Sequence, residues 1–468
     1  MNFKPVMLWT DAMIFMLVAV AITGILWIRE RPHLLLPWQR LFRSKVGMVS
    51  MLVLSLFIII GFLDSLHYRT MLPANGNGQR VYAAEVLSVF DNFVGNLRSQ
   101  TEKTYSAPLA VYLYTKESIE TVDGKIFRDF PRLKYGGVHL TDPLKDHVGD
   151  IITRCLYGLV SGLLGGIFLI FLIVYTGVVH NRTTAVEWWN ARIKSPLKIV
   201  LIAIVIVAML AGLIINLANA YHVLGTDKVG QDVLYLSLKS IRTGLVIGTV
   251  TTLVMLPFAL FLGIAAGYFR GWVDDVIQYV YTVLSSIPGV LLIAAAVLMM
   301  QVTIEKHAEW FSSSAERADL RLLFLCLILG VTSWTSLCRL LRGEALKLRE
   351  LEYIQAAQAF GVSSLRILSR HILPNVMHIV LITVVMDFSA LVLAEAVLSY
   401  VGVGVDPSTN SFGTLINNAR LEMGREPMVW WTLAAAFSFM LVLVLAANLF
   451  ADAVRDAFDP RLSHMEST

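Results

Sequence analysis

The chain has 468 residues, of which 56% are hydrophobic and 15% charged; an ordinary soluble domain carries about 25% charge, so the bilayer is its expected solvent. Lys and Arg number 38 against 34 Asp and Glu, a formal charge of +4, which over this length excludes a nucleic-acid footprint. Cys155, Cys326 and Cys338 lie within or beside apolar runs, predicting neither a disulfide framework nor a metal site.

The first apolar run, 8–28, follows a single early cation, Lys4, and no small-residue cleavage site comes before Arg29-Glu30-Arg31. It reads as a retained anchor rather than a removed signal peptide. A spanning helix needs about 20 apolar residues at about 1.5 Å each. Nine segments qualify: 8–28, 46–63, 155–178, 199–219, 243–268, 276–301, 322–340, 376–401 and 428–450. Between the second and third, residues 64–150 mix charge with short apolar patches, so a small extracytoplasmic α/β insertion is expected there. Its entry is turn-rich, at Pro73-Ala74-Asn75-Gly76-Asn77-Gly78, and a helix followed by strands comes next. The domains expected are two spans over 1–63, the insertion over 64–150, a further span and loop over 151–198, and a transmembrane unit over 199–468.

Lys and Arg concentrate in cytoplasmic loops. The connections 29–45, 179–198, 270–275, 339–374 and 452–468 together hold 18 of them, against 9 in the N-terminus and the loops 220–242, 302–321 and 402–427. This alternation predicts the N-terminus outside and the C-terminus inside.

The longest structured cytoplasmic connection reads RELEYIQAAQAFGVSSLRILSRHILP over 349–374. Good helix formers fill 349–360, Gly361 suits a left-handed helix end, Ser363 or Ser364 can cap a second helix, and Pro374 is expected to end it. Such a helical hairpin is either an amphipathic connector on the membrane or a docking surface, where Ala356 and Ala357 would allow close approach. Other residues are ambiguous on spacing alone. Asp227, Gly230 and Asp232 suit a turn and a helix cap, Asp274 and Asp275 a solvated turn, and Pro288 a kink or a hinge. Charge inside a span is costly and marks a candidate site. Asp387 and Glu395, about 80° apart around one helix, are the two candidates. Asp387 either lines a path or pairs with a neighbouring helix, and Glu395 suits a structural hydrogen bond.

Gln355-Ala356-Ala357, three residues, Gly361, and then the His371-Ile372-Leu373-Pro374 ending resemble the EAA loop of ABC importer permeases, with Gln355 in place of Glu and His371 in place of an apolar residue. LGTDKVGQD (224–232), GWVDD (271–275), SSIPG (285–289), AEAVLSYVGVGVDPSTNSFG (394–413) and ADAVRDAFDPRL (451–462) follow in family order. Together they are similar to permeases of the dipeptide, oligopeptide and nickel branch. The resemblance implies an all-α polytopic membrane protein with the type I six-helix permease core, placed here over 199–450 and preceded by three extra spans. WQRLFRSK (38–45) with the 46–63 span also resembles the family's first span.

The resemblance further implies ATPase coupling through Tyr353, Gln355, Ala356, Ala357, Gly361, Leu365, Arg366, His371 and Pro374. It implies an outer-loop signature of Gly225, Thr226, Asp227, Gly230 and Asp232; Asp387, Glu395 and Pro288 are candidate path-lining residues on charge inside a span and a helix break, and Asp387 matches no motif of the family. It implies a bacterial inner-membrane location, a second homologous permease, two ABC ATPase subunits and a periplasmic substrate-binding protein. No G-x-x-x-x-G-K-[ST] loop is present, the one Gly-Lys pair, Gly124-Lys125, being followed by Ile126. ATP and Mg are therefore expected on the partner ATPases, with no cofactor or metal in this chain and no enzymatic role. A proton-coupled transporter built on Asp387 and Glu395 lacks paired interrupted helices. A sensor built on 64–150 leaves the hairpin without a purpose, and no nucleophile or His-Glu-x-x-His motif supports a hydrolase.

Overall fold

Without water, a backbone satisfies its N–H and C=O groups inside its own helix, and uncharged runs of Leu, Ile, Val and Ala accordingly become helices. The computed structural model describes residues 3–29, 32–72, 82–120, 126–181, 197–311 and 313–458. The turn-rich entry 73–78, most of the 179–198 loop and the end of the 451–462 motif lie outside them. Among the described residues, nine helical segments are long and apolar enough to cross a membrane.

The first helices are α1 (Trp9–Arg29), α2 (Pro32–Leu41) and α3 (Lys45–Asp64). The insertion holds α4 (Val89–Phe93) and α5 (Gly95–Ser99), with strands β2 (His67–Thr70) and β3 (Leu87–Ser88) before them and a β4 (Glu117–Glu120)–β5 (Ile126–Asp129) hairpin after. Strand β1 (Phe3–Val6) from the N-terminus pairs antiparallel with β2, Phe3 opposite Thr70. Sequence reading did not find this pairing. Next come α6 (Pro143–Asn181) and α7 (Leu197–Ala218), and the expected boundary at 150 falls inside α6.

The remaining helices are α8 (Val233–Phe269), α9 (Gly271–Ser286), α10 (Gly289–Lys306), α11 (Ser314–Ser333), α12 (Thr335–Arg349), α13 (Glu352–Ala359), α14 (Ser364–Ile367), α15 (Leu373–Val401), α16 (Phe412–Glu422) and α17 (Trp431–Phe458). Helix α8, 37 residues long, runs through the middle of the bundle. Its Gly263 and Gly267 let α12 approach until an added Cβ would lie 2.8 Å from the Cys338 carbonyl or 2.6 Å from Ala345 Cβ.

Packing settles which helices share this core. Helix α3 lies against α8 and α17, Gly47 meeting Ala453 and Gly61 meeting Leu245. Helix α7 instead pairs with α6, where Gly158, Gly162 and Gly166 face Leu213, Ala208 and Val205. Such small-residue faces drive helix pairing in lipid, where van der Waals packing replaces the hydrophobic force. The bundle therefore takes α3 as its first helix rather than the 199–219 segment. The extra spans are α1 and the α6–α7 hairpin.

Three local expectations change. The 276–301 segment is not one span: Ile287 is extended (φ −87°, ψ 130°) ahead of Pro288, because proline disfavours helical geometry in its predecessor. Amphipathic α9 ends there and the candidate span is α10. Pro374 does not end a helix. A π-type turn over Leu368–Ile372 leads directly into α15, with Pro374 in the first turn, where a missing N–H is tolerated. The loop 402–427 contains α16, started by a Ser411–Thr414 capping box.

Candidate functional site

The 349–374 hairpin lies at one end of the bundle and the 224–232 segment at the other, separated by the length of α8. Ile354, Ile367 and Ile372 are fully buried and fasten the hairpin to the core. Between them Gly361 takes φ +74°, a left-handed value that costs a residue with a Cβ about 1 kcal/mol. Tyr353 and His371 meet across the hairpin, ring centres 6.0 Å apart, and Asn375 Nδ2 donates to the Tyr353 hydroxyl at 3.1 Å. Gln355 Nε2 donates to the Glu350 carbonyl at 3.2 Å. A Glu at 355 has no proton for that bond and would face the Glu350 carboxylate. Gln355, Ala356, Leu365, Arg366 and Pro374 are exposed and Ala357 is half-buried. Phe360 stands 88% and Leu365 78% exposed, two apolar knobs flanking Gly361. Sequence reading passed over Phe360, although a large apolar residue just before the glycine was the available signal.

At the opposite end the 224–232 segment is a platform occupied by the insertion. Gly225 and Gly230 have φ of +71° and +75°, and a Cβ on Gly230 would overlap the Glu102 carbonyl. Thr226 Oγ1 accepts the Ser106 N–H at 2.6 Å and donates to the Thr104 carbonyl at 2.9 Å. Asp227 Oδ1 accepts the N–H groups of Val229 and Gln231. Asp232 caps α8 by accepting from Leu234 and Tyr235, and its other oxygen lies 2.7 Å from His222 Nδ1. His222 Nε2 is 3.4 Å from Glu102 Oε1, and Glu102 also accepts the N–H groups of Lys134, Tyr135 and Gly136. Burial alone would push the His222 imidazole down, but the hydrogen bond to Asp232 and the carboxylates of Asp232 and Glu102 beside it outweigh this and raise the pKa to about 9. The insertion reaches α16 and α17 as well: Tyr105 donates to Glu422, and Tyr114 packs edge-on against Trp431, ring centres 4.8 Å apart, while donating to the Met428 carbonyl; Trp431 Nε1 in turn donates to the Thr226 carbonyl of the 224–232 segment.

The candidate path residues separate. Glu395 is 1% exposed and accepts from Ser399 Oγ at 2.6 Å, beneath the capping box of α16, so its carboxylate braces that segment. Asp387, half-buried in α15, has no partner among the described residues. Pro288 is exposed at the α9–α10 break. Asp274 is not a solvated turn: it is buried and held by Arg342 through two hydrogen bonds of 2.6 and 2.7 Å, which keep its carboxyl below the usual range.

Residues 259–464 match the family model described as "Binding-protein-dependent transport system inner membrane component". The oligopeptide transport system permease protein OppC of Mycobacterium tuberculosis is 33% identical over 239 residues, 51% of this chain and 76% of that protein. The glutathione transport system permease protein GsiD of Pectobacterium atrosepticum is 32% identical over 246 residues, covering 52% and 74%. The dipeptide transport system permease protein DppC of Lactococcus lactis subsp. cremoris is 29% identical over 242 residues, covering 52% and 64%. The family-model match takes in the last turns of α8 and the helices after it, the hairpin included. The chain belongs to the binding-protein-dependent transport system inner membrane components, as a multi-pass permease subunit of an ABC importer.

Proposed function

We propose that this permease imports di- or oligopeptides, the cargo named for several of its relatives, and that the 350–372 hairpin is where ATP hydrolysis in partner subunits enters the transport cycle. The observation that carries the coupling role is the hairpin's construction: three buried isoleucines fix it, while Phe360 and Leu365 are left uncovered on either side of Gly361. A docked ATPase would bury these two exposed apolar knobs, and the alternative, a connector lying on the membrane, would turn them to lipid; co-purification with the ATPases separates the two.

The proposed assembly has a second homologous permease, two ATPase subunits that bind ATP and Mg, and a substrate-binding protein at the end where the insertion lies. Co-purification of the ATPases with Ala357→Glu and Gly361→Val, followed by uptake and hydrolysis assays in reconstituted vesicles, tests the coupling role. Both variants are expected to insert normally and to weaken ATPase association or uncouple hydrolysis from uptake. Normal association with normal uptake in both removes the hairpin from the mechanism. Competition of labelled-dipeptide uptake by tripeptides and by free amino acids tests the cargo. Asp387, without a partner in the span, is proposed to face the path, because an ionised carboxylate facing lipid costs about 2.5 to 3.5 kcal/mol. Unchanged uptake and abundance in Asp387→Leu would refute that placement.

A further inference from the structure

Helix α9 is held to the bundle in an unusual way. Its inward face is narrow, with Asp274, Ile277 and Tyr281 buried at positions three and four apart, while Trp272 and Tyr279 on its other face are 76% and 72% exposed. Besides the packing of Ile277 and Tyr281 in the core beside α8, it is tied by two arginines of α12, three residues apart and therefore on one face. Arg342 grips Asp274 in the first turn of α9 with both carboxylate oxygens engaged. Arg339 lies with its guanidinium 4.9 Å from the centre of the Tyr281 ring and donates to Ser285 Oγ at 2.7 Å, in the last turn. A guanidinium fork is suited to such bidentate and ring-facing contacts in a way that a lysine is not.

Helix α12 leads straight into the hairpin. Its last residue, Arg349, donates to the Tyr268 carbonyl at 2.8 Å, and Gln358 of α13 reaches the Tyr268 hydroxyl at 3.3 Å. Tyr268 lies at the α8–α9 corner, where Arg270 pairs with Glu350 and itself takes φ +59°, a strained value for a residue with a side chain. The root of the hairpin is thus tied to the corner before α9, to its first turn and to its last. Two residues beyond Ser285 the chain breaks at Ile287–Pro288 and α10 begins.

We infer that Arg339 and Arg342 are positioning residues that make α9 move with the root of the hairpin, delivering hairpin displacement through the Ile287–Pro288 break to α10. This rests on the coupling role proposed above. Displacement of packed helices about a few element-terminal residues is the ordinary form of such a transition. The contacts predict a specific failure when the clasp is opened: hydrolysis continues and transport does not follow.

The test uses the complete transporter in proteoliposomes, with peptide uptake and ATP hydrolysis measured on the same preparation. Asp274→Asn and Arg342→Lys are expected to retain ATPase association and hydrolysis while uptake per ATP falls about ten-fold, within the usual span of coupling between sites. The exchanged pair, Asp274→Arg with Arg342→Asp, is expected to recover much of that ratio. Arg339→Gln leaves the ion pair intact and serves where the exchange disturbs insertion; it should lower the ratio to a smaller extent. An unchanged ratio in Asp274→Asn and Arg342→Lys overturns the proposal, as does a proportionate loss of hydrolysis and uptake, the mark of a merely structural role. Ala357→Glu separates the two levels. If it releases the ATPases or uncouples hydrolysis while Asp274→Asn keeps the native ratio, only the clasp fails; if it keeps both association and coupled uptake normal, the coupling role itself fails.

Discussion

His222 illustrates how a few side chains fasten an inserted segment to a transport core. It is 1% exposed, set between Asp232 at the head of α8 and Glu102 of the insertion, and its pKa is raised to about 9 from an ordinary 6.5. A raised folded pKa stabilises fully below the unfolded value and is lost as pH rises through the folded one, here over about pH 6.5 to 9. Glu102 acts at the other end: burial raises it, but the nearby His222 and hydrogen bonds from three backbone N–H groups outweigh this and lower it to about 2, so its contribution disappears only as pH falls from 4.5 toward 2. The purified native protein should therefore lose thermal stability between pH 7 and 9.5, and His222→Gln should show a flatter alkaline limb. Melting curves that fall in parallel for both proteins would show that the buried cluster does not govern attachment.

At the scale of elements, the α6–α7 hairpin is closed by backbone contact. A side chain at Gly162 would collide with the Ala208 carbonyl, whereas nothing lies within 4 Å of a Cβ at Gly165. Overpacking of this kind costs about 1 to 3 kcal/mol, so Gly162→Leu should lower the melting temperature of the purified protein and Gly165→Leu should leave it unchanged. Equal effects would mean that the glycine face does not hold the pair. The apolar spans were legible because hydropathy and charge are carried by local sequence, and Gly361 because only its left-handed backbone fits the hairpin bend. The break at 287–288 was half-legible: Pro288 marked it, but an apolar window on both sides concealed it. The place of α3 in the bundle was half-legible: WQRLFRSK with the 46–63 span resembled the family's first span, but the 199–219 run competed for that place. The β1–β2 pairing and the Arg342–Asp274 pair were not legible, since each joins residues separated by dozens of positions whose partners no local pattern names.

For the whole molecule, the ends of the helices define two sides before any membrane is considered. Asp11 at the head of α1 and Asp319 near the head of α11 converge on Arg242, which donates to Asp11 Oδ1 at 2.6 Å and lies 3.8 Å from Asp319 Oδ1. Asp64 at the end of α3 accepts from Lys239, one turn earlier on α8. With β1 paired to β2, the N-terminal strand, the insertion and the 224–232 segment share one side, and the hairpin lies at the far end of α8. Charge supplies the expected direction: the short connections on the hairpin side hold 18 Lys and Arg against 9 in the N-terminus and the loops 220–242, 302–321 and 402–427, the 10 of the long 64–150 insertion being left out because long loops cross the membrane largely regardless of charge. In a variant lacking Cys155, Cys326 and Cys338, single cysteines at Lys103 and Lys228, both exposed, should therefore react in intact cells with a membrane-impermeant maleimide. A cysteine at Ala356, exposed on the hairpin, should react only after permeabilisation. Labelling of position 356 in intact cells together with protection of 103 and 228 would invert the topology. It would also place the Phe360 and Leu365 knobs on the side where no ATPase can reach them.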